Sequence, residues 1–357
     1  MACRFEVTLS GEDAGGVPAA RQALVEATRL DERLSVFLET SEISGLNRRA
    51  ADGAVPVSAE LFALLRHCER LHAGTDGAFD ITSTPLSRCW GFLSREAQVP
   101  DADAIASARA QVGMEAVELD EAAGAVRFRR PGMELNLGSI GKGYAVDRIA
   151  AVLGAAGVRH ALVSAGGSSV RALGGRGGGW RVDVTSRAAG PHPIARLRLR
   201  AAALSTSGVG EQWVRGSDRG KTGVRPGTEQ PAAAKWAENL GDGAGSDQGQ
   251  TGVRPGTDPA ASPRPDAQPA PAATPLRYGH VIDPRTGWPA QGLTCATVVT
   301  TDAARADALA TAFLVGGEAL ARQYCDAHPG TLALLMPDEA TRPLVIGSHP
   351  GAHVEEL

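Results

Sequence analysis

The sequence predicts a mixed α+β fold with one long low-complexity segment looped out of its second half. Three observations predict this. Apolar residues recur both at helical spacing and in strict alternation. The two patterns do not take turns regularly enough for a doubly wound parallel sheet. From Val214 to Arg277 the composition breaks, with nine of the 22 prolines and almost no large apolar residue. Such a stretch cannot bury enough surface to offset its ordering entropy, so 214–277 is expected to be a disordered insertion. It repeats itself, GKTGVRPGTEQPAAA (220–234) returning as GQTGVRPGTDPAA (249–261). Two copies without an apolar stripe cannot stack a solenoid core.

The elements follow in order. Phe5, Val7 and Leu9 alternate as a strand. Ala20, Leu24, Ala27, Leu30 and Leu34 form a helical stripe behind Pro18, whose missing N–H costs nothing in a first turn. The segment SVFLETSEISGLNRR is read as a loop, and Ser58 as the N-cap of a helix carrying Leu61, Leu65, Cys68 and Leu71. A helix from Tyr144 to Ala156, stopped by Gly157, follows ELNLGSIGKG. Strands are read at 161–165, 180–186 and 195–201; in the last, leucines alternate with arginines, so one face is wet. After the insertion come YGHVIDPRTGWP, a strand at 294–300, a helix in ARADALATAFLVGGEALARQYC, and strands at 331–336 and 343–347.

Composition narrows the function. The 36 Lys+Arg against 40 Asp+Glu give a net charge of −4, which supplies no overall attraction for nucleic acid. No window approaches the ~18 apolar residues of a membrane span. The N-terminus has no basic and apolar leader, so the chain as written is expected in the cytoplasm. Its five scattered cysteines lack CxxC spacing and are expected to be buried thiols rather than a disulfide or zinc framework.

Several polar clusters carry chemistry. Ser139 and Lys142 form S-x-x-K and 221–223 a K-T-G, two serine-hydrolase signatures. The K-T-G lies in the low-complexity repeat, its second copy loses the lysine, and no S-D-N is present, so that chemistry is set aside. Gly138, Gly141 and Gly143 bracket Lys142 ahead of a helix, where backbone N–H groups can face an anion; a tight strand-to-helix turn is the other reading. Asp307 and Thr311 stand four apart on a predicted helix and project from one face. Such a pair of hard oxygens suits Mg²⁺, which keeps waters and phosphates in its shell; a hydrogen-bonded polar pair is the plainer alternative. His280, Asp283, Arg285 and Thr286 crowd a rigid Pro/Gly turn, which makes His280 a candidate general base.

Taken in order, SEISGLNR (41–48), TDGAFDITSTPL (75–86) with Trp90-Gly91-Phe92, LNLGSIGKGYAVD (135–147), SAGG (164–167), LSTSG (204–208), HVIDPRTGWP (280–289) and ADALATAFLVGG (306–317) resemble the ApbE family of FAD:protein FMN transferases. The resemblance spans the chain except the insertion, and implies one two-lobed ApbE-like domain, 1–213 and 278–357, binding FAD in a cleft. It implies transfer of the FMN part of FAD to a threonine hydroxyl of an acceptor flavoprotein, with release of AMP. By resemblance the metal ligands are Asp307, Thr311 and the carbonyl of Ser139, with a further carbonyl from Ala310. Lys142 matches a contact near the FAD phosphates, and Ala78, Phe79 and Asp80 a segment along the cofactor. Met1, Phe37, Asn136, Ile282 and His280 match further FAD positions, and His280 or its neighbour Asp283 would handle the proton.

Two departures stand out. Asn136 replaces a common aspartate, and Val209-Gly210 follow Thr206-Ser207-Gly208 where an acidic-aromatic pair is usual. Many relatives carry an export signal upstream of the matched methionine, here Met1. The same residues would serve an FAD pyrophosphatase giving FMN and AMP, and the departures leave room for a non-catalytic FAD-binding protein.

Overall fold

A computed structural model describes residues 3–94, 96–175, 177–186, 192–209, 213–215 and 277–355. Its centre is a seven-stranded sheet in the order Phe5–Leu9, Ala161–Ala165, Ser169–Leu173, Ala203–Gly208, Leu293–Thr300, Leu332–Pro337, Leu344–Gly347. Every neighbouring pair is antiparallel, in line with the absence of a βαβ alternation.

Period-two alternation assigns each strand's side chains to two different cores. Ala161, Val163, Ala165 and Ala203 face the helices Val17–Leu34 and Gly141–Ala155. Val170, Ala172, Leu204, Val299, Leu332 and Leu334 face a three-stranded sheet of Trp180–Val184, Ala195–Leu199 and Ala352–Glu355. Leu197 and Leu199 are buried there while Arg196 and Arg198 point out to Asp183 and Glu355, the wet face expected from the sequence. Leu293–Thr300 is buried at all eight positions because both of its faces are covered.

The remaining lobe gathers helices Glu42–Arg49 and Ala59–Gly74 around a small sheet of Val55–Pro56, Ala125–Phe128 and Val117–Asp120. One cluster of buried residues runs from Leu30 and Leu46 through Phe79 and Leu135 to Phe313 and Tyr324, so the lobes share a core.

Element by element, most expectations hold and several boundaries move. Ser58 is the N-cap, its hydroxyl accepting from Leu61 N at 3.2 Å. The expected loop at 35–49 instead contains a helix, Glu42–Arg49, because Ser41 accepts from Ser44 N at 3.1 Å and supplies the cap that starts it. The helix placed at 144–156 begins at Gly141. The last long helix, Ala303–Ala327, breaks at Gly317, where φ is 68°. Of the cysteines, Cys68, Cys295 and Cys325 are buried, and burial pushes the thiols of Cys295 and Cys325 up to about 11. Cys3 and Cys89 are only half-buried. At the edges of the expected insertion, Trp213–Arg215 pairs antiparallel with Arg277–Gly279; residues 216–276, and with them the repeat and its K-T-G, lie outside the described residues. Among the described residues no helix is long and apolar enough to cross a membrane.

Candidate active site

The site forms where two helix N-termini meet. Helix Gly141–Ala155 starts with Gly141-Lys142-Gly143, and helix Ala303–Ala327 brings Asp307 and Thr311 up one turn apart. Close approach is possible because residue 143 has no side chain: a Cβ built there would lie 2.0 Å from the Ala303 carbonyl oxygen. The contact is locked by Asp147, whose carboxylate accepts from Ala303 N and Ala304 N, both at 2.9 Å, and from Arg171 Nη1 at 2.6 Å. Nothing local in the sequence marks Asp147 for this role, since a carboxylate inside one helix carries no sign of capping a different one.

Asp307 is 1% exposed. Its Oδ2 accepts from Gly143 N at 3.1 Å, and its Oδ1 accepts from Ser205 Oγ at 2.9 Å and from Ser169 Oγ at 3.3 Å. Lys142 Nζ stands 3.4 Å from Oδ1. Thr311 Oγ1 lies 3.1 Å from Ser207 Oγ and donates to the Asp307 carbonyl at 3.3 Å. Asp307, Thr311 and Lys142 are therefore together, as the sequence predicts, while Ser169, Ser205 and Ser207 are additions.

The loop before Lys142 is set by Asn136, whose Oδ1 accepts from Gly138 N at 2.9 Å while its own N–H donates to Ile81 O at 2.8 Å. Ser139 sits half-buried in the turn that follows. His280, half-buried, opens a tight hairpin in which Ile282 bridges Pro289 and Asp283 N donates to Trp288 O at 2.8 Å. Trp90 Nε1 braces the hairpin by donating to Gly287 O at 2.9 Å. Gly279 packs on Val209, two residues beyond Ser207, which seats the hairpin at the Thr311 end of the cluster. Asp283 is occupied within the turn: its carboxylate accepts from Arg285 N, Nε and Nη2, each at 2.9 Å.

Of the other predicted positions, Ala78 is buried, and its neighbour Gly77 lies against Arg285 of the hairpin. Phe79 is buried, and the Asp80 carboxylate turns inward to Thr82 N (2.7 Å), Thr82 Oγ1 (2.6 Å) and Met114 N (3.2 Å), with His72 Nδ1 at 3.4 Å. Burial pushes that carboxyl up against the pull of these donors. Asp80 borders a polar cavity of about 410 Å³ shared with His72, Arg109, Arg130 and Arg285. Phe37, 72% exposed, borders a second cavity of about 210 Å³ with Val36, Thr84 and Arg88. Met1 lies outside the described residues.

A family model described as the ApbE family matches residues 1–238 and 273–336. The chain belongs to the ApbE family. Among ApbE relatives, an FAD:protein FMN transferase of Klebsiella pneumoniae is 31% identical over 215 residues, 58% of this chain and 61% of that protein. The match thus spans about three fifths of that relative. One from Treponema pallidum is 28% identical over 362 residues, 95% of this chain and 83% of that protein. The crystal structure of the ApbE protein of Thermotoga maritima superposes with a TM-score of 0.71 at 24% identity, covering 96% of this chain and 93% of that one. The flavin transferase ApbE of Vibrio cholerae gives 0.70 at 21% identity, covering 98% and 94%. These two share the fold.

The ApbE site's donor set fits Mg²⁺. One carboxylate and one hydroxyl, both hard oxygens on one helix face, provide the one or two protein ligands that this ion takes when phosphates complete its shell. Among the described residues no three His, Cys, Asp or Glu side chains converge, so a denser, all-protein cage is not what this site offers.

Proposed function

We propose that this chain is a Mg²⁺-dependent FAD:protein FMN transferase that moves the FMN half of FAD onto a threonine hydroxyl of an acceptor flavoprotein and releases AMP. The observation that carries the reading is the enclosed Asp307 carboxylate, one helical turn from Thr311 and 3.4 Å from the Lys142 ammonium. Family membership and the activity of the relatives support it.

In this reading the threonine oxygen attacks the phosphorus next to riboflavin; the new O–P bond forms as the bridging O–P bond breaks, and AMP departs with the bridging oxygen. Asp307 and Thr311, with the carbonyls of Ser139 and Ala310, would hold Mg²⁺, which when bound neutralises charge on the pyrophosphate. Lys142, 3.4 Å from the Asp307 carboxylate, would contact the same phosphates. The positive end of the dipole of helix Gly141–Ala155 favours an anion in front of it. His280 takes the threonine proton, because the Asp283 carboxylate is held by Arg285. Phe37 contacts one ring of FAD from its exposed position.

Incubation with FAD, Mg²⁺ and a flavoprotein acceptor tests this. AMP and a covalently fluorescent acceptor are expected, and Asp307→Ala loses both while remaining folded. AMP without covalent flavin would make the protein an FAD pyrophosphatase; no AMP from the parent protein would make it an FAD-binding protein.

A further inference from the structure

The sheet beneath Asp307 and Thr311 carries three serines that the transfer reaction does not by itself require. Ser169 and Ser205 are fully buried, and Ser207 is half-buried. A hydroxyl in an apolar core is costly unless it is hydrogen-bonded, so its partners reveal its use. Here the partners are the two side chains assigned to the metal. Ser205 Oγ donates to Asp307 Oδ1 at 2.9 Å, and Ser169 Oγ lies 3.3 Å from the same oxygen and 3.0 Å from Ser205 Oγ. Ser207 Oγ lies 3.1 Å from Thr311 Oγ1.

The match follows from two periodicities. Residues 205 and 207 point to one face of their strand and are about 6.8 Å apart. Residues 307 and 311 point to one face of their helix and rise about 6 Å. A strand lying along this helix therefore presents one serine to the aspartate and the next to the threonine. Ser169 joins because it stands directly opposite Ser205 in the sheet. With Gly143 N on Oδ2 and the serine hydroxyls beside the Lys142 ammonium on Oδ1, the carboxylate is gripped at both oxygens, which fixes its plane.

We propose that Ser169, Ser205 and Ser207 are positioning residues for Mg²⁺: they orient the Asp307 carboxylate and the Thr311 hydroxyl, and so set the affinity of the site. The proposal rests on the Mg²⁺ reading of that pair. Outer hydrogen-bond partners of metal ligands typically contribute 10–100-fold in metal affinity or activity.

The experiment is a calorimetric titration of Mg²⁺ into the FAD-loaded full-length protein, compared among the parent, Ser205→Ala, Ser207→Ala, Ser169→Ala/Ser205→Ala and Asp307→Ala, beside the Mg²⁺ dependence of AMP release. Each serine variant should bind Mg²⁺ about 10-fold more weakly, and the double variant more weakly still. Raising Mg²⁺ should restore kcat, because the loss lies in metal binding and not in the chemical step. Should the core changes at 169 and 205 prevent folding, Ser207→Ala, at a half-buried position, still decides the matter. Parent-like Mg²⁺ affinity in the folded serine variants, or a loss of kcat that added Mg²⁺ does not restore, overturns the proposal while leaving the metal reading intact. No Mg²⁺ binding by the parent overturns both.

Discussion

Gly143→Ala tests whether the site depends on direct contact between two helix backbones. A Cβ at residue 143 would lie 2.0 Å from Ala303 O, 2.5 Å from Ala303 C and 2.8 Å from Ala304 N. These are backbone atoms at the start of a helix, not the end of a side chain that could swing away. A carbon and a carbonyl oxygen normally approach no closer than about 3.3 Å, so the helices must separate by about 1.3 Å. Overpacking of this kind costs about 1–3 kcal/mol. The same separation stretches the 3.1 Å bond from Gly143 N to Asp307 Oδ2, a hydrogen bond to a charged group worth about 1.5–3 kcal/mol. Taken together, a loss of about 4 kcal/mol is expected in urea unfolding, with the m-value unchanged, together with weaker Mg²⁺ binding. The control is Gly154→Ala in the same helix, where nothing lies within 4 Å of the new Cβ. There alanine should stabilise by about 0.5–1 kcal/mol through its higher helix propensity. Equal stability of Gly143→Ala and the parent, or a shift of the same sign in both variants, would refute the reasoning.

His280→Ala should lower the rate of FMN transfer about 10²–10⁴-fold while FAD still binds, whereas Asp283→Asn should act through hairpin stability and lower the melting temperature first; single-turnover assays beside thermal unfolding separate the two. At Glu42, burial pushes the carboxyl up, but donation from Ser58 N (2.6 Å) and the Arg33 ion pair (2.6 Å) outweigh it, and the net shift is below the ordinary value of 4.5. A depressed carboxyl contributes stability that is present above its unfolded pKa and is lost as pH falls through the folded one. Glu42→Gln should therefore cost about 1.5 kcal/mol at pH 7, the low end for a charged hydrogen bond because the side chain keeps 22% exposure, and the difference should vanish in acid. A pH-independent difference in urea midpoints would count against this account.

The parts of the fold legible in the sequence are those where burial is one-sided and local. Ala161–Ala165 and the Ser58-capped helix were readable because alternation or capping lies within a few residues. The pairing of Asp307 with Thr311 was readable for the same reason, since four residues of helix suffice to bring them together. What stayed hidden depends on register between distant segments. Ser205 reaches Asp307 across 102 positions, and Asp147 caps a helix 156 residues on. The one local hint was LSTSG itself, where Ser205 and Ser207 alternate on the face that otherwise carries the buried Ala203. Helix Glu42–Arg49 was missed because its apolar residues, Ile43 and Leu46, are too few to show a period, and its start depends on one hydroxyl.

The two departures from the family pattern have physical readings in this fold. At Asn136 the turn requires one oxygen to accept from Gly138 N, and an amide oxygen does this as well as a carboxylate. Aspartate would add a negative charge at that turn, and asparagine leaves the turn neutral, so the departure changes the local field without changing the loop. At Val209 an apolar side chain replaces an acidic one where the hairpin carrying His280 packs, with Gly279 against the valine. An acidic group at that contact would have to be desolvated or would hold the hairpin off, whereas valine lets Gly279 close on it. Both changes shift charge at the rim and leave the geometry around Asp307, Thr311 and Lys142 in place. In the proposed reaction they therefore bear on how tightly FAD would be held more than on whether its pyrophosphate could be cleaved.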